Sequence, residues 1–327
     1  MPRFDPFALG PSASLNRTRF AEASFIDAEL HGVPAYDMLS AQALRRQIST
    51  EATALHLDTS VEEDADLLQV LDACSVSPDG AVRATAWNLA GRFGRHLAFL
   101  LLTLVTPAAP SSLPADVADY RSHWTTIRHV FLGGGVVSGR IGPVICEAAI
   151  DTLRDAGRPD LRLEVAPNAA VLPLIGAARG TQIDAPVALV ADFGSTSVKF
   201  AYAACNGAML ASLQVLPPIP SPSYLRDEPT DPQRLAGFVT ATMAEAWKSG
   251  RKNGLQLSSE VSASLAAYVD DGHPMEYGSN PGYYALRRLG TNASAVLSQR
   301  LTAAVGQPVR VVLGHDGTIA ARALAGA

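Results

Sequence analysis

The chain has 327 residues, 48% of them apolar, with a formal net charge of −5 and a pI near 5.8. That length carries about two domains with cores of their own, and the scattered Lys and Arg of an acidic chain exclude the electrostatic footprint of a DNA- or RNA-binding protein. Cys74, Cys146 and Cys205 stand outside any Cys-x-x-Cys or Cys/His spacing, which excludes a disulfide framework or zinc site and fits a reducing cytoplasm.

In chain order, residues 6 to 14 read as a short strand entering a small-residue loop, and Phe25 to Val33 brings Glu29 and His31 two positions apart. Such a pair can point into one cleft, although a solvated Glu and a surface His are commoner. From Asp37 to Val105 the apolar spacing is helical, through Leu39–Ile48, Ala65–Ala73 and Ala81–Val105. Its most apolar run, Leu97 to Val105, is too short for a membrane span and reads as a buried helix; the first residues lack the layout of a signal peptide. A short strand then runs into Gly133, Gly134 and Gly135, which suit either a close approach to a ligand or a plain turn. A helix from Ile141 to Leu153, a strand from Leu161 to Val165 and a small-residue helix from Asn168 to Arg179 complete an α/β unit.

Residues 186 to 202 form the most informative stretch. An apolar run ends in Asp192, breaks at Gly194-Ser195-Thr196 and resumes as an alternating run with Lys199, which predicts a β-hairpin with a polar tip. Glycine lets the backbone approach another group closely, while the hydroxyls and N–H groups of Ser195, Thr196 and Ser197 suit a phosphate. Asp192 is placed to hold Mg²⁺ directly or through water, with Lys199 as a compensating charge; an ordinary hairpin has the same turn chemistry. A third strand, Met209 to Leu216, follows, then an extended Pro-rich loop, a helix from Leu235 to Lys248 and a strand from Val261 to Val269. The loop from Asp270 to Tyr284 is polar and aromatic, and its tyrosines with Asn280 are candidates to line a polar pocket. A helix over 293–304 and a strand over 309–313 lead to His315-Asp316-Gly317-Thr318 and a last helix. Asp316 has two readings at that place: a helix N-cap, or a general base at the carboxyl end of a strand.

Together these stretches resemble the ROK family of sugar kinases and repressors, within the actin, Hsp70 and sugar-kinase superfamily. The hairpin resembles the first phosphate motif, residues 129 to 157 the glycine-rich adenosine segment, AVLPLIGAARG at 170 to 180 the Gly-Ala-Ala helix with Gly176, EYGSNPGYY at 276 to 284 the sugar-contacting Asn loop, and LGHDGTIAARALAG at 313 to 326 the segment with the catalytic aspartate. DAELHGV at 27 to 33 is similar to the Glu and His segment that grips the sugar.

The resemblance implies a two-lobed, ribonuclease H-like (actin-like ATPase) α/β fold. Because the Gly-Ala-Ala helix here precedes the hairpin, it also implies a circular permutation, with lobes at 1–182 and 183–327 and a nucleotide cleft between them. It implies ATP-dependent phosphorylation of a sugar hydroxyl, with ATP and Mg²⁺, in the cytoplasm. Asp316 would be the general base; Asp192, Gly194, Ser195, Thr196, Lys199, Gly133, Gly134, Gly135 and Gly176 would bind the nucleotide, with Asp192 the Mg²⁺ residue; Asn280, His315, Glu29 and His31 would meet the sugar. A homodimer is compatible with it; nucleic acid and membrane are not expected as partners. Pro11 in the second phosphate loop, His315 in place of the usual Asn and the missing Cys/His zinc motif depart from the family. These departures keep two alternatives open, a catalytically silent sugar or nucleotide sensor and an ATPase of the wider superfamily.

Overall fold

The computed structural model describes residues 15–57, 67–106, 115–206, 209–226, 229–276, 281–290 and 292–325. They divide into two compact units, one up to Ala170 and one from Val171 onward.

The first unit is mainly helical: α1 (Ala35–Leu39), α2 (Ala41–Thr50), α3 (Leu67–Cys74), α4 (Gly80–Val105), α5 (Ala115–Trp124) and α6 (Ile141–Asp155). Ser40 caps α2 by accepting from the Ala43 N–H, and Asp79 caps α4 by accepting from those of Ala81 and Val82. The expected buried helix is the second half of α4, where every residue from Ala98 to Val105 is inaccessible. Helix α4 packs on α6 at Gly94, where a β-carbon would collide with the Ile145 carbonyl oxygen. Two parallel strands, β1 (His129–Leu132) and β2 (Arg162–Val165), are joined through α6, which is the α/β unit read from the sequence. Among the described residues no helix is long and apolar enough to cross a membrane.

The second unit is built on a mixed sheet. Strands β3 (Val187–Phe193), β4 (Ser197–Asn206) and β5 (Met209–Val215) form an antiparallel meander, with β6 (Ile219–Pro220) also pairing with β4. Helix α8 (Pro232–Lys252) then crosses to β7 (Leu257–Leu265), parallel to β3, and α9 (Ala293–Val305) crosses to β10 (Arg310–His315), parallel to β7. A two-residue pair, β8 (Val269–Asp270) and β9 (His273–Pro274), and a 3₁₀ helix, Gly282–Leu289, lie between β7 and α9. Numbered along this unit, the main strands lie in the order 3-2-1-4-5, with only the second antiparallel to its neighbours.

One sheet face packs Leu189, Phe193, Val261 and Leu313 against α8 and α9, through Leu235, Trp247 and Leu297. The other packs Ala188 and Val190 against α7 (Leu172–Gly180) and α10 (Asp316–Leu324), through Leu174, Ala177 and Ile319. Helix α7 therefore belongs to the second unit, whereas the sequence reading assigned it to the first lobe and set the boundary at 182. Small residues explain the close packing: a β-carbon at Gly176 would collide with the Ile319 carbonyl oxygen.

Candidate functional site

The site is built from the carboxyl ends of three parallel strands. The register aligns Asp192 of β3 with Ser264 of β7, and Ser264 with Gly314 of β10. Alternation sends Leu189, Ala191 and Phe193 into the α8/α9 face, which turns Asp192 to the face of Ala188 and Val190. Here Asp192 is 8% exposed, and its Oδ1 accepts a 2.7 Å hydrogen bond from Ser264 Oγ. Burial pushes its carboxyl above the usual range and the Asp316 charge adds to that, while Ser264 and Lys199 work in the opposite sense. Lys199 is directly opposite Asp192 across the hairpin.

The turn after β3 is braced from within. The Gly194 N–H donates to the Ser197 carbonyl (3.2 Å), and its own carbonyl accepts from Ser221 Oγ (2.7 Å) and the Tyr283 hydroxyl (3.2 Å). Tyr283 is 2% exposed and stacks edge-on against Phe193 at 6.0 Å. By contrast, Ser195 and Thr196 are exposed, and their hydroxyls have no partner among the described residues. A fixed backbone thus presents two accessible hydroxyls beside a buried carboxylate and a lysine.

Asp316 completes the edge. Of its two sequence readings, the cap is taken by its neighbour: the His315 ring accepts the Thr318 N–H at Nδ1 (3.4 Å), and Asp316 is the first residue of α10. Its Oδ1 accepts from the Gly317 N–H (2.7 Å) and lies 3.1 Å from His315 Nε2. Burial pushes the carboxyl up to about 6, against the Gly317 N–H, while 42% of the side-chain surface stays open to water. A carboxylate with that midpoint is ionised at neutral pH and still basic enough to accept a proton.

No protein family's sequence profile matches this chain, and no curated protein matches it. Among solved structures, an exopolyphosphatase-like protein is similar over 73% of this chain and 82% of its own, at 13% identity and a TM-score of 0.31.

The other expected residues fall elsewhere. Gly176 is accounted for by its contact with α10. Gly133, Gly134 and Gly135 lie in the first unit, where Gly134 takes a φ of +100° and donates to the Ala169 carbonyl (2.8 Å). A β-carbon on Gly134 or Gly135 would meet open space, so no packing explains those two glycines. The start of the following helix α6 already has an anionic partner, Asp72 Oδ1, which accepts from the Ile141 N–H (3.0 Å). Glu29 is exposed on a 3₁₀ turn, and His31 Nε2 is held between the Ala23 (3.3 Å) and Ile26 (3.1 Å) carbonyls, so the pair does not line a common cleft. Asn280 and Pro11 lie outside the described residues.

Sequence reasoning missed Ser264 and Ser221. Neither has a signal of its own, since a serine at a strand end or after a Pro-rich turn is ordinary. No group of three His, Cys, Asp or Glu side chains among the described residues could hold a metal ion. Mg²⁺ usually keeps several waters and takes one or two carboxylates plus phosphate oxygens, and Asp192 offers one such carboxylate.

Proposed function

We propose that the second unit carries an ATP-dependent phosphotransferase site, of the ribonuclease H-like, actin-like ATPase type, and that a sugar hydroxyl is the acceptor. The observation that supports it most is the convergence of Asp192, the Gly194-Ser195-Thr196 corner and Asp316 at one sheet edge. Asp316 bears on the charge of Asp192 although they come from opposite ends of the unit. The second unit is a mixed α/β sheet with helices on both faces, which is compatible with the fold class that the resemblance implies.

In this reading the phosphates lie over the corner, where the N–H groups and hydroxyls of Ser195 and Thr196 donate to their oxygens and Lys199 offsets their charge. Asp192 would hold Mg²⁺ directly or through water, and the ion when bound neutralises charge on the phosphate oxygens. Asp316 accepts the proton of the attacking hydroxyl and fixes its direction; positioning and charge neutralisation supply most of the acceleration in such transfers.

Thermal-shift measurements with Mg²⁺-ATP, ADP and a panel of hexoses and N-acetylhexosamines, followed by an ADP-release assay on the hits, test this. Stabilisation by both ligand classes with sugar-dependent ADP release is the expected result. A sugar response alone would overturn it in favour of a sensor, and nucleotide-dependent phosphate release indifferent to sugar in favour of an ATPase.

A further inference from the structure

We propose that Ser221 and Tyr283 are positioning residues for the phosphate corner: by holding the Gly194 carbonyl from within, they turn the next peptide so that the Ser195 N–H faces outward as an anion donor. That the anion is a phosphate rests on the function proposed above; the hold on the carbonyl does not.

Two donors reach one atom. The Gly194 carbonyl oxygen accepts from Ser221 Oγ (2.7 Å) and from the Tyr283 hydroxyl (3.2 Å). Ser221 has a second grip, because its own N–H donates to the Thr196 carbonyl (3.1 Å). It follows β6 and stands between Pro220 and Pro222, whose fixed φ stiffens the segment. Tyr283 is anchored independently: its ring is 2% exposed and edge-on to Phe193 at 6.0 Å, and the N–H of Gly282 before it donates to Thr230 Oγ1 (2.8 Å). The chain closes tightly here, since a β-carbon on Gly194 would stand 2.9 Å from the Ser197 carbonyl oxygen.

A trans peptide is planar, with its C=O and N–H on opposite edges. With the Gly194 C=O turned toward the buried Tyr283, the Ser195 N–H turns to the exposed side, and it has no acceptor among the described residues. Neither hydroxyl meets the ligand; both act through one peptide. Because two donors share the carbonyl, either one alone retains much of the orientation. Tyr283, which the sequence offered as lining for a polar pocket, is thus a brace behind the corner.

Ser221→Ala and Tyr283→Phe each remove one hydroxyl and leave the Ser221 N–H and the Tyr283 ring in place, whereas Ser221→Thr keeps the hydroxyl. In the full-length, ligand-free protein, the NMR correlation between the Ser195 N–H and the Gly194 carbonyl ¹³C reports on this one peptide. Loss of a donor depolarises the carbonyl. We therefore expect its ¹³C resonance to move upfield in S221A and Y283F, further in the double variant, and to stay near its wild-type position in S221T. Calorimetry with Mg²⁺-tripolyphosphate reads the consequence. The double variant should bind about thirtyfold more weakly, the worth of one hydrogen bond to a charged group, and each single variant only about threefold more weakly because the other donor remains. A brace that served stability alone would lower the melting temperature without this non-additive loss of affinity.

An unmoved carbonyl resonance in the double variant, wild-type affinity in that variant, or a wild type that does not bind tripolyphosphate would overturn the proposal. Tripolyphosphate binding that depends on the two hydroxyls, without sugar-dependent ADP release, would refute the kinase and leave the clamp standing. Sugar-dependent ADP release with unchanged tripolyphosphate affinity in the double variant would do the reverse.

Discussion

With its carboxyl pushed up to about 6 by burial, Asp316 in the folded chain holds a proton that the unfolded chain, at about 3.9, has already released. Stability therefore falls as pH rises from about 4 to about 6 and stays lower above that window. Asp316→Asn should melt higher than the wild type near neutral pH, with the difference vanishing toward about pH 4; equal melting at neutral pH would contradict the burial of this group. The same substitution should cut turnover at least a hundredfold while leaving Mg²⁺-ATP affinity within a few-fold, measured by ADP release and calorimetry. In the wild type, turnover should climb about tenfold per pH unit below about 6 and level off above it, as the base ionises. The sequence made Asp316 visible as a candidate but not its role, because Asp-Gly-Thr at a helix start is good capping chemistry. Only the His315 ring on the Thr318 N–H shows that the aspartate is relieved of that task.

Helices α7 and α10 meet through glycine, so their separation leaves no room for a methyl group. Gly176→Ala would drive a β-carbon into the Ile319 carbonyl oxygen, and we expect a loss of about 1–3 kcal/mol in a denaturant melt. Ile319 is three residues beyond Asp316, so the shift should lower turnover as well. The hairpin was legible almost residue by residue, since an apolar run, a Gly-Ser-Thr break and an alternating run admit few other structures. Strand β7 was not: the expected strand began at Val261, four residues late. Its second face carries Ser258, Glu260, Ser262 and Ser264, all buried, so the polar half of the alternation does not mark a solvent side. Glu260 is satisfied by Arg310 and by the Gln182 N–H (3.0 Å), and Ser264 by Asp192. Ser264 lay inside the expected strand, but a serine near a strand end carries no mark of the aspartate it will serve.

The two units have apolar cores made of different residues, one drawn from Phe20 to Ala169 and the other from Val171 to Ile319. Calorimetry should resolve two transitions. Asp72→Ala, which strips the Ile141 N–H of its acceptor, should lower only the first unit's by about 1 kcal/mol, and Gly176→Ala only the second's. One transition moved by both variants would mean a single cooperative body. A length of 327 residues pointed to two domains, but the boundary could not be read correctly because α7 looks, by sequence, like the end of the unit before it. Its small-residue face takes its partner from α10, more than a hundred positions away. All members of the candidate site lie between Asp192 and Thr318, on one sheet and its supports. Rejoining the polypeptide at other points outside that span would rewire the connections without disturbing the chemistry, so the order of segments along such a chain is free to drift while the reaction it houses stays put.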